Sequence, residues 1–253
     1  MKHWRRLERE LDCWETPPTL WWRDDDATAP SAALEQLLQL SDRHAIPLHL
    51  AVIPAHSEIA LAKRLSRSHL TWVLQHGWDH QGYAGPGERK RELGGPRPRP
   101  EILQQLRQGR ERLQQQFGPR ALDILVPPWN RIDDDLLTLL PALGYRRLSI
   151  LGPRPMEPEG PRQINVHIDI IDWKARRFAG QEAVIHQLVR HLEARRLGSV
   201  DATEPTGLMT HHLDHDDACW DFLADLTGAL GDRVRWVGGR PCWTAERRLR
   251  SIA

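Results

Sequence analysis

Three carboxylates stand side by side at Asp24, Asp25 and Asp26, directly behind the apolar stretch TLWW. Adjacent unpaired acids repel one another and resist burial, so the run calls for either solvent or a positive partner. Downstream, His76 and His80 lie four residues apart in QHGWDH. On a helical turn two imidazoles at that spacing share a face, and with one carboxylate they make a facial donor set for a divalent ion. A cation held by one acid would offset repulsion from its neighbour, and a second acid beside it is placed to take a proton from water. The plainer readings are an acidic helix start before Pro30 and two hydrogen-bonded loop histidines, and residue types alone leave both open. Two later segments join them. HIDIIDW (167–173) alternates polar with apolar residues, carries Asp169 and ends in Asp172 and Trp173. THHLDHDD (210–217) brings His211 straight off an apolar run, where an imidazole suits general-acid work beside an acid partner. The acids that follow read as solvating and capping the next helix.

These side chains must be positioned by the elements around them. TLWWRD (19–24), PLHLAVIPA (47–55) and HLTWVLQHG (69–77) are short apolar runs bounded by Pro, Gly or charge, which predicts buried strands. Further strands are expected at 121–129, 145–151, 163–171, 207–212 and 234–238, and helical periodicity marks 31–44, 57–65, 101–117, 133–143, 181–196 and 216–229. Strand and helix alternate about seven times, the pattern of a mainly parallel sheet, open or closed as a barrel. In such folds the C-terminal strand ends gather on one rim, where sites are built. The triple Asp, His76 with His80, PPWNR, Asp169 with Asp172 and Trp173, and His211 with His212 all fall at such ends. Residues 82–100, GYAGPGERKRELGGPRPRP, show no periodicity and read as a long surface excursion, flexible or lid-like.

Bulk properties narrow the class. A chain of 253 residues fits one large domain over 1–253, with 82–100 as a loop insertion. A net charge of +1 argues against broad electrostatic capture of nucleic acid, and no run approaches 18 apolar residues, so no membrane span is expected. Cys13, Cys219 and Cys242 form no CxxC pair and no disulfide framework, which favours a reducing compartment. The N-terminal MKHWRRLERELDCWE has no apolar core behind its basic residues, so it does not read as a secretory signal, and a cytoplasmic location is expected. Eleven Trp against three Phe and two Tyr read mainly as core and scaffold, with a few as ligand platforms.

Taken together and in order, these segments resemble the polysaccharide deacetylase family with the NodB-type homology domain, also described as carbohydrate esterase family 4. WRDDDA matches a first motif ending in an Asp pair, here Asp24 and Asp25; HGWDH matches His-[Ser/Thr]-x-x-His; VPPW matches Arg-x-Pro-aromatic in part; DIIDW matches Asp-x-x-Asp-Trp; MTH matches Leu-x-His with Met209 for Leu. The resemblance spans residues 21 to 212 and implies a distorted (β/α)7-type barrel, an α/β fold. It implies one divalent metal ion, Zn first, with Co, Ni, Fe or Mn as other candidates, held by Asp25, His76 and His80. It implies Asp24 as the general base, His211 as the acid that protonates the leaving amine, and Asp169 or Asp172 tuning that histidine. Pro128, Trp129, Trp173 and His212 would shape the substrate groove.

The sequence also departs from that pattern. Val126 stands where the family has the Arg that orients the base. Arg131 is the expected replacement, because a strand places Arg23 and Asp24 on opposite faces. Gly77 replaces a Ser/Thr that supports the metal site in relatives, and Asp26 falls where relatives carry Gly. The expected activity is hydrolysis of an amide carbon–nitrogen bond, deacetylating an N-acetylated carbohydrate, small molecule or oligosaccharide. The other readings are a hydrolase of a non-sugar amide or cyclic ureide, and a catalytically silent carbohydrate-binding or scaffold protein on the same barrel. Nothing in the sequence fixes the oligomeric state.

Overall fold

A computed structural model describes residues 2–157 and 159–239, so Cys242 lies outside the described residues. Eleven strands are found there: β1 (Thr19–Ala27), β2 (Leu48–Val52), β3 (Thr71–His76), β4 (Ala121–Val126), β5 (Arg147–Leu148), β6 (Arg162–Gln163), β7 (Ile168–Asp169), β8 (Ile171–Asp172), β9 (Arg177–Phe178), β10 (Thr206–Thr210) and β11 (Arg235–Trp236). The helices are α1 (Lys2–Asp12), α2 (Ala32–Arg43), α3 (Ile59–Leu65), α4 (Arg99–Phe117), α5 (Asp134–Leu137), α6 (Gln181–Arg196) and α7 (Asp217–Leu230). None of them is long and apolar enough to cross a membrane.

The main sheet runs β6-β5-β4-β3-β2-β1-β10-β7, with β11 added beside the start of β1, and every pairing in it is parallel. Residues 162–169 close it. Their first residues pair with β5 and their last with β10, and between them Ile164 and Val166 donate to Leu148 and Ile150 while His167 donates to Gly207. The result is the distorted barrel expected from the alternation of elements. The single strand expected at 163–171 is therefore broken, because one chain segment serves two sheet edges in turn. It then continues into the small antiparallel hairpin β8–β9.

Side chains alternate across each strand. Trp21, Ala51, Leu74, Val126, Val166 and Met209 pack within the curved sheet. Leu20, Trp22, Leu50, Val52 and Leu208, from the same strands, pack outward with residues of α1, α2, α6 and α7. Two helices start on side-chain caps: Ser31 accepts from Leu34 N–H at the start of α2, and Asp216, one of the acids expected to cap the next helix, accepts from Cys219 N–H at the start of α7.

Three elements differ from expectation. The N-terminal segment forms α1, whose Leu7, Glu10 and Leu11 are buried, with Arg196 of α6 bonded to Glu10. The helix expected at 133–143 is one turn, α5, followed by a 3-10 turn at 140–143, since Pro141 interrupts the hydrogen-bond ladder. The 82–100 segment is not a free lid. Glu92, Leu93 and Arg97 are buried, Leu93 bridges to Ile132, and Asp133 accepts from Gly95 N–H, Arg91 and Arg99.

Candidate active site

The three acids do not share a face, and a bulge in β1 decides where each points. Asp24 pairs with Leu50 of β2 and Ala27 with Val52, so three steps along β1 oppose two along β2. The irregularity is Asp26, whose φ is 72°, a left-handed conformation that Asp tolerates better than most residues. Strict alternation would put Asp26 beside Asp24; the bulge turns it instead toward His76 and His80.

Asp24 faces the helices and is fully buried. One oxygen accepts from Thr210 Oγ1 (2.6 Å) and His212 N–H (3.0 Å), and the other lies 2.5 Å from His212 Nδ1. This arrangement speaks against the expectation of Asp24 as the general base: its carboxylate is committed to Thr210 and His212, on the opposite face of β1 from Asp25 and away from His76 and His80. It likewise removes His212 from the substrate groove, because that ring is buried against Asp24. Burial works to raise the Asp24 carboxyl, but the His212 charge and hydrogen bond bring it below its usual value; burial works to lower His212, and Asp24 holds it above its own. The two form a buried ion pair.

Asp25 points inward with Arg23, its neighbour two residues back on the same face. Arg23 Nε and Nη2 each donate to one Asp25 oxygen at 2.8 Å. The guanidinium is wholly buried and also donates to Ser149 Oγ (2.7 Å) and Asn130 Oδ1 (2.8 Å). The arginine that reaches an acid of the run is therefore Arg23, not Arg131. Arg131 donates to the Lys90 carbonyl instead. Strand alternation does keep Arg23 away from Asp24, and the same alternation brings it to Asp25.

Asp26, His76 and His80 offer donor atoms within 4.8 Å of one another. His76 Nε2 lies 3.1 Å and His80 Nε2 3.3 Å from Asp26 Oδ1. Donors about 2.1 Å from one small ion stand about 3 Å apart, so the spacing suits a divalent metal. The tautomer fits as well. His76 Nδ1 faces the Val126 carbonyl at 3.0 Å, an acceptor only, so Nδ1 carries a proton and Nε2 is the nitrogen whose lone pair a metal would take. Asp26 Oδ1 is a buried atom with no hydrogen-bond donor among the described residues. Burial raises the Asp26 carboxyl, yet His76, then His80 and His211, bring it well below the ordinary range. Asp26, His76 and His80 are thus the residues that could hold a metal here, while each Asp25 oxygen accepts a hydrogen bond from Arg23.

A second trio, His167, His191 and Glu204, lies as close together. The same tautomer test rejects it. Gly207 N–H donates to His167 Nδ1 at 2.9 Å, so the proton of neutral His167 sits on Nε2, facing Glu204 at 3.4 Å, and no lone pair is left there for a metal.

Around the first trio, His211 Nε2 lies 3.9 Å from Asp25, and the edge of Trp173 meets the His211 ring at 4.6 Å between centroids. Trp173 is 44% exposed, and its indole N–H donates to Asp169 at 2.8 Å. Burial raises the Asp169 carboxyl, with the Trp173 and Ile171 N–H groups and then His211 acting in the opposite direction. Asp172 is not with them: it is exposed and accepts from Lys174 and Ala175 N–H, closing the β8–β9 turn. Trp129, at φ 55°, lies 4.5 Å from the His80 ring with Lys90 Nζ 5.7 Å from its own. Pro128 is buried beside Gly77, its Cδ 2.7 Å from where a Cβ on that glycine would stand.

Neither a protein-family model nor a curated protein matches the chain by sequence. Solved structures do match it by shape. It is similar to a protein of Mycobacterium smegmatis described as a polysaccharide deacetylase (TM-score 0.58, 16% identity, 95% of this chain and 94% of that one). It is also similar to a peptidoglycan deacetylase of Bacillus subtilis (0.56, 14%, 87% of each chain) and a family 4 carbohydrate esterase of Streptomyces lividans in complex with acetate (0.56, 14%, 88% and 94%). The fold is that of the polysaccharide deacetylases. A further neighbour with this fold is described as a pseudoenzyme of the same esterase family with restored activity (0.57, 12%, 87% of this chain and 65% of that one), so the fold alone does not carry turnover.

Three residues that the sequence reading did not count in the site stand beside the candidate residues: Arg23 on Asp25, Asp26 beside His76 and His80, and Glu92 on the His80 backbone N–H. The Asp24–His212 pair gives an expected outcome of its own. Asp24→Asn leaves His212 buried without its counter-charge, and unfolding stability should fall by about 3 kcal/mol while metal affinity stays unchanged. Thermal unfolding and metal titration of the same preparation check both halves. The pair's contribution should be full between about pH 4 and 6.5, lost upward through the raised His212 value and downward through the lowered Asp24 value.

Proposed function

We propose that the protein is a metal-dependent hydrolase of amide carbon–nitrogen bonds that removes acetyl groups from an N-acetylated carbohydrate. The observation that supports this reading best is the convergence of Asp26, His76 and His80 beside an Asp25 locked by a buried arginine, on the deacetylase fold. The match to the first motif then moves by one residue: Asp25 and Asp26 form the Asp pair, and Ala27 stands where relatives carry Gly.

In this reading Asp26, His76 and His80 hold the metal, and zinc suits two imidazoles and a carboxylate best. When bound, the ion polarises the amide carbonyl and stabilises the charge that develops on its oxygen. Asp25 takes the proton of the attacking water. Arg23 occupies one lone-pair direction on each Asp25 oxygen, which fixes the carboxylate and leaves a second direction on each for water. His211 delivers a proton to the departing nitrogen, held in orientation by the edge of Trp173, which Asp169 in turn anchors. Trp129 and Trp173 flank the metal ligand His80 and the acid His211 and supply flat walls for a sugar ring. Turnover, and not silent binding, is favoured because Arg23 supplies the guanidinium that Val126 lacks.

The test is acetate release from N-acetylglucosamine oligomers by protein loaded with zinc or cobalt, with non-sugar acetamides and cyclic ureides run in parallel. Turnover should vanish on removal of the metal by a chelator and return on its restoration. If only the non-sugar compounds are hydrolysed, the carbohydrate assignment is wrong and the class stands; if no loaded preparation turns over any amide, the hydrolase reading falls.

A further inference from the structure

Gly77 lies between the two histidine ligands, at φ 54°, where a side chain is disfavoured. A Cβ placed on it would meet both carboxylate oxygens of Glu92 at 2.6 Å and Pro128 Cδ at 2.7 Å. The space of a side chain at this position is thus already filled, by an acid from the 82–100 segment. Glu92 is fully buried. One of its oxygens accepts from Trp78 N–H (2.5 Å) and the other from His80 N–H (2.7 Å). Two backbone donors of the His76–His80 loop are therefore fixed by a single carboxylate.

We infer that Glu92 is a positioning residue for the metal centre, doing from a distant segment what a Ser or Thr at position 77 does in the proteins this chain resembles. The inference rests on the metal-binding reading of Asp26, His76 and His80. His80 sits at φ 58°, a left-handed conformation uncommon outside glycine, and the hydrogen bond from its backbone N–H to Glu92 holds it there. Glu92 is itself tied down. Arg97 donates to its carbonyl, bonds Glu101 and Gln105 of α4, and stacks on Tyr83 at 3.9 Å, whose hydroxyl donates to Asp79 within the same loop. The segment from Tyr83 to Arg97 thereby becomes a structural part of the metal centre.

The experiment measures cobalt and zinc affinity by chelator competition, and the visible spectrum of the cobalt form, for the parent, Glu92→Gln and Glu92→Ala. Gln keeps the size but presents N–H to one of the two backbone donors, so affinity should fall about 10-fold; Ala loses both bonds and should cost about 100-fold, with an altered cobalt spectrum in each. Turnover at matched metal loading should drop in kcat with KM unchanged, since Glu92 faces the ligand loop and not the groove. Thermal unfolding without metal shows whether each variant is folded, and if the Ala variant is not, the isosteric Gln variant decides. Affinity within twofold of the parent and an unchanged spectrum in folded Glu92→Gln would overturn the inference and leave the hydrolase reading intact. A parent that binds neither ion overturns both.

Discussion

Asp26→Asn is expected to cost at least about 100-fold in zinc or cobalt affinity, because loss of a ligand should exceed the 10- to 100-fold typical of lost outer partners. Asp25→Asn should keep the metal within a few-fold and lower turnover about 100- to 10,000-fold, the usual range for removing a general base. Asp24→Asn should keep both metal and turnover per folded molecule and show its effect in stability alone. The three variants separate cleanly because the three carboxylates have different partners: His212 for Asp24, Arg23 for Asp25, and the histidine pair for Asp26. Metal titration, acetate release and thermal unfolding on one set of preparations check them. If folded, metal-loaded Asp24→Asn loses turnover while Asp25→Asn retains it, the base is Asp24 after all and the bulge does not set the roles.

That bulge also marks the boundary of what the sequence can show. Period-2 alternation and Pro/Gly punctuation locate nearly every strand and helix, since burial on one or both faces leaves a direct trace in residue order. The collection of polar residues at the C-terminal strand ends is legible for the same reason, and His76, His80, His211 and Trp173 stand where their strand positions imply. A one-residue bulge leaves no comparable trace: Asp-Asp-Asp reads the same with or without it, and slipping by one residue exchanges the faces of every side chain beyond. Placing base and ligand one residue earlier than the proposed reading does follows directly, and so does the rejection of Arg23. Glu92 is hidden for a different reason. It reaches the ligand loop from 12 residues beyond His80 in a segment with no periodicity, and only the missing side chain at Gly77 hints that something else fills that space.

Arg23→Leu carries the second large effect. It strands the Asp25 carboxylate in a buried setting beside Asn130 and Ser149, which lose their donor as well. The expected cost is about 3 to 5 kcal/mol of stability, and folded protein should also turn over at least about 100-fold more slowly, since a freely rotating base no longer meets water in one orientation. Arg131→Ala should stay within about twofold of the parent in both respects, its side chain being committed to the Lys90 carbonyl. Packing and catalytic contributions are separable by the double variant Arg23→Leu/Asp25→Asn. Removing both members of a buried pair can be close to neutral where removing one is not, so much of the stability should return. Activity should not return, because the amide introduced by Asp25→Asn cannot take a proton whatever stands beside it. The coupling should therefore be large for unfolding and for turnover alike, with the double variant no less active than the worse single one. Recovery of stability without activity is the signature of an arginine kept in the barrel to hold a base; recovery of both would mean that Arg23 serves the core and that some other group takes the proton.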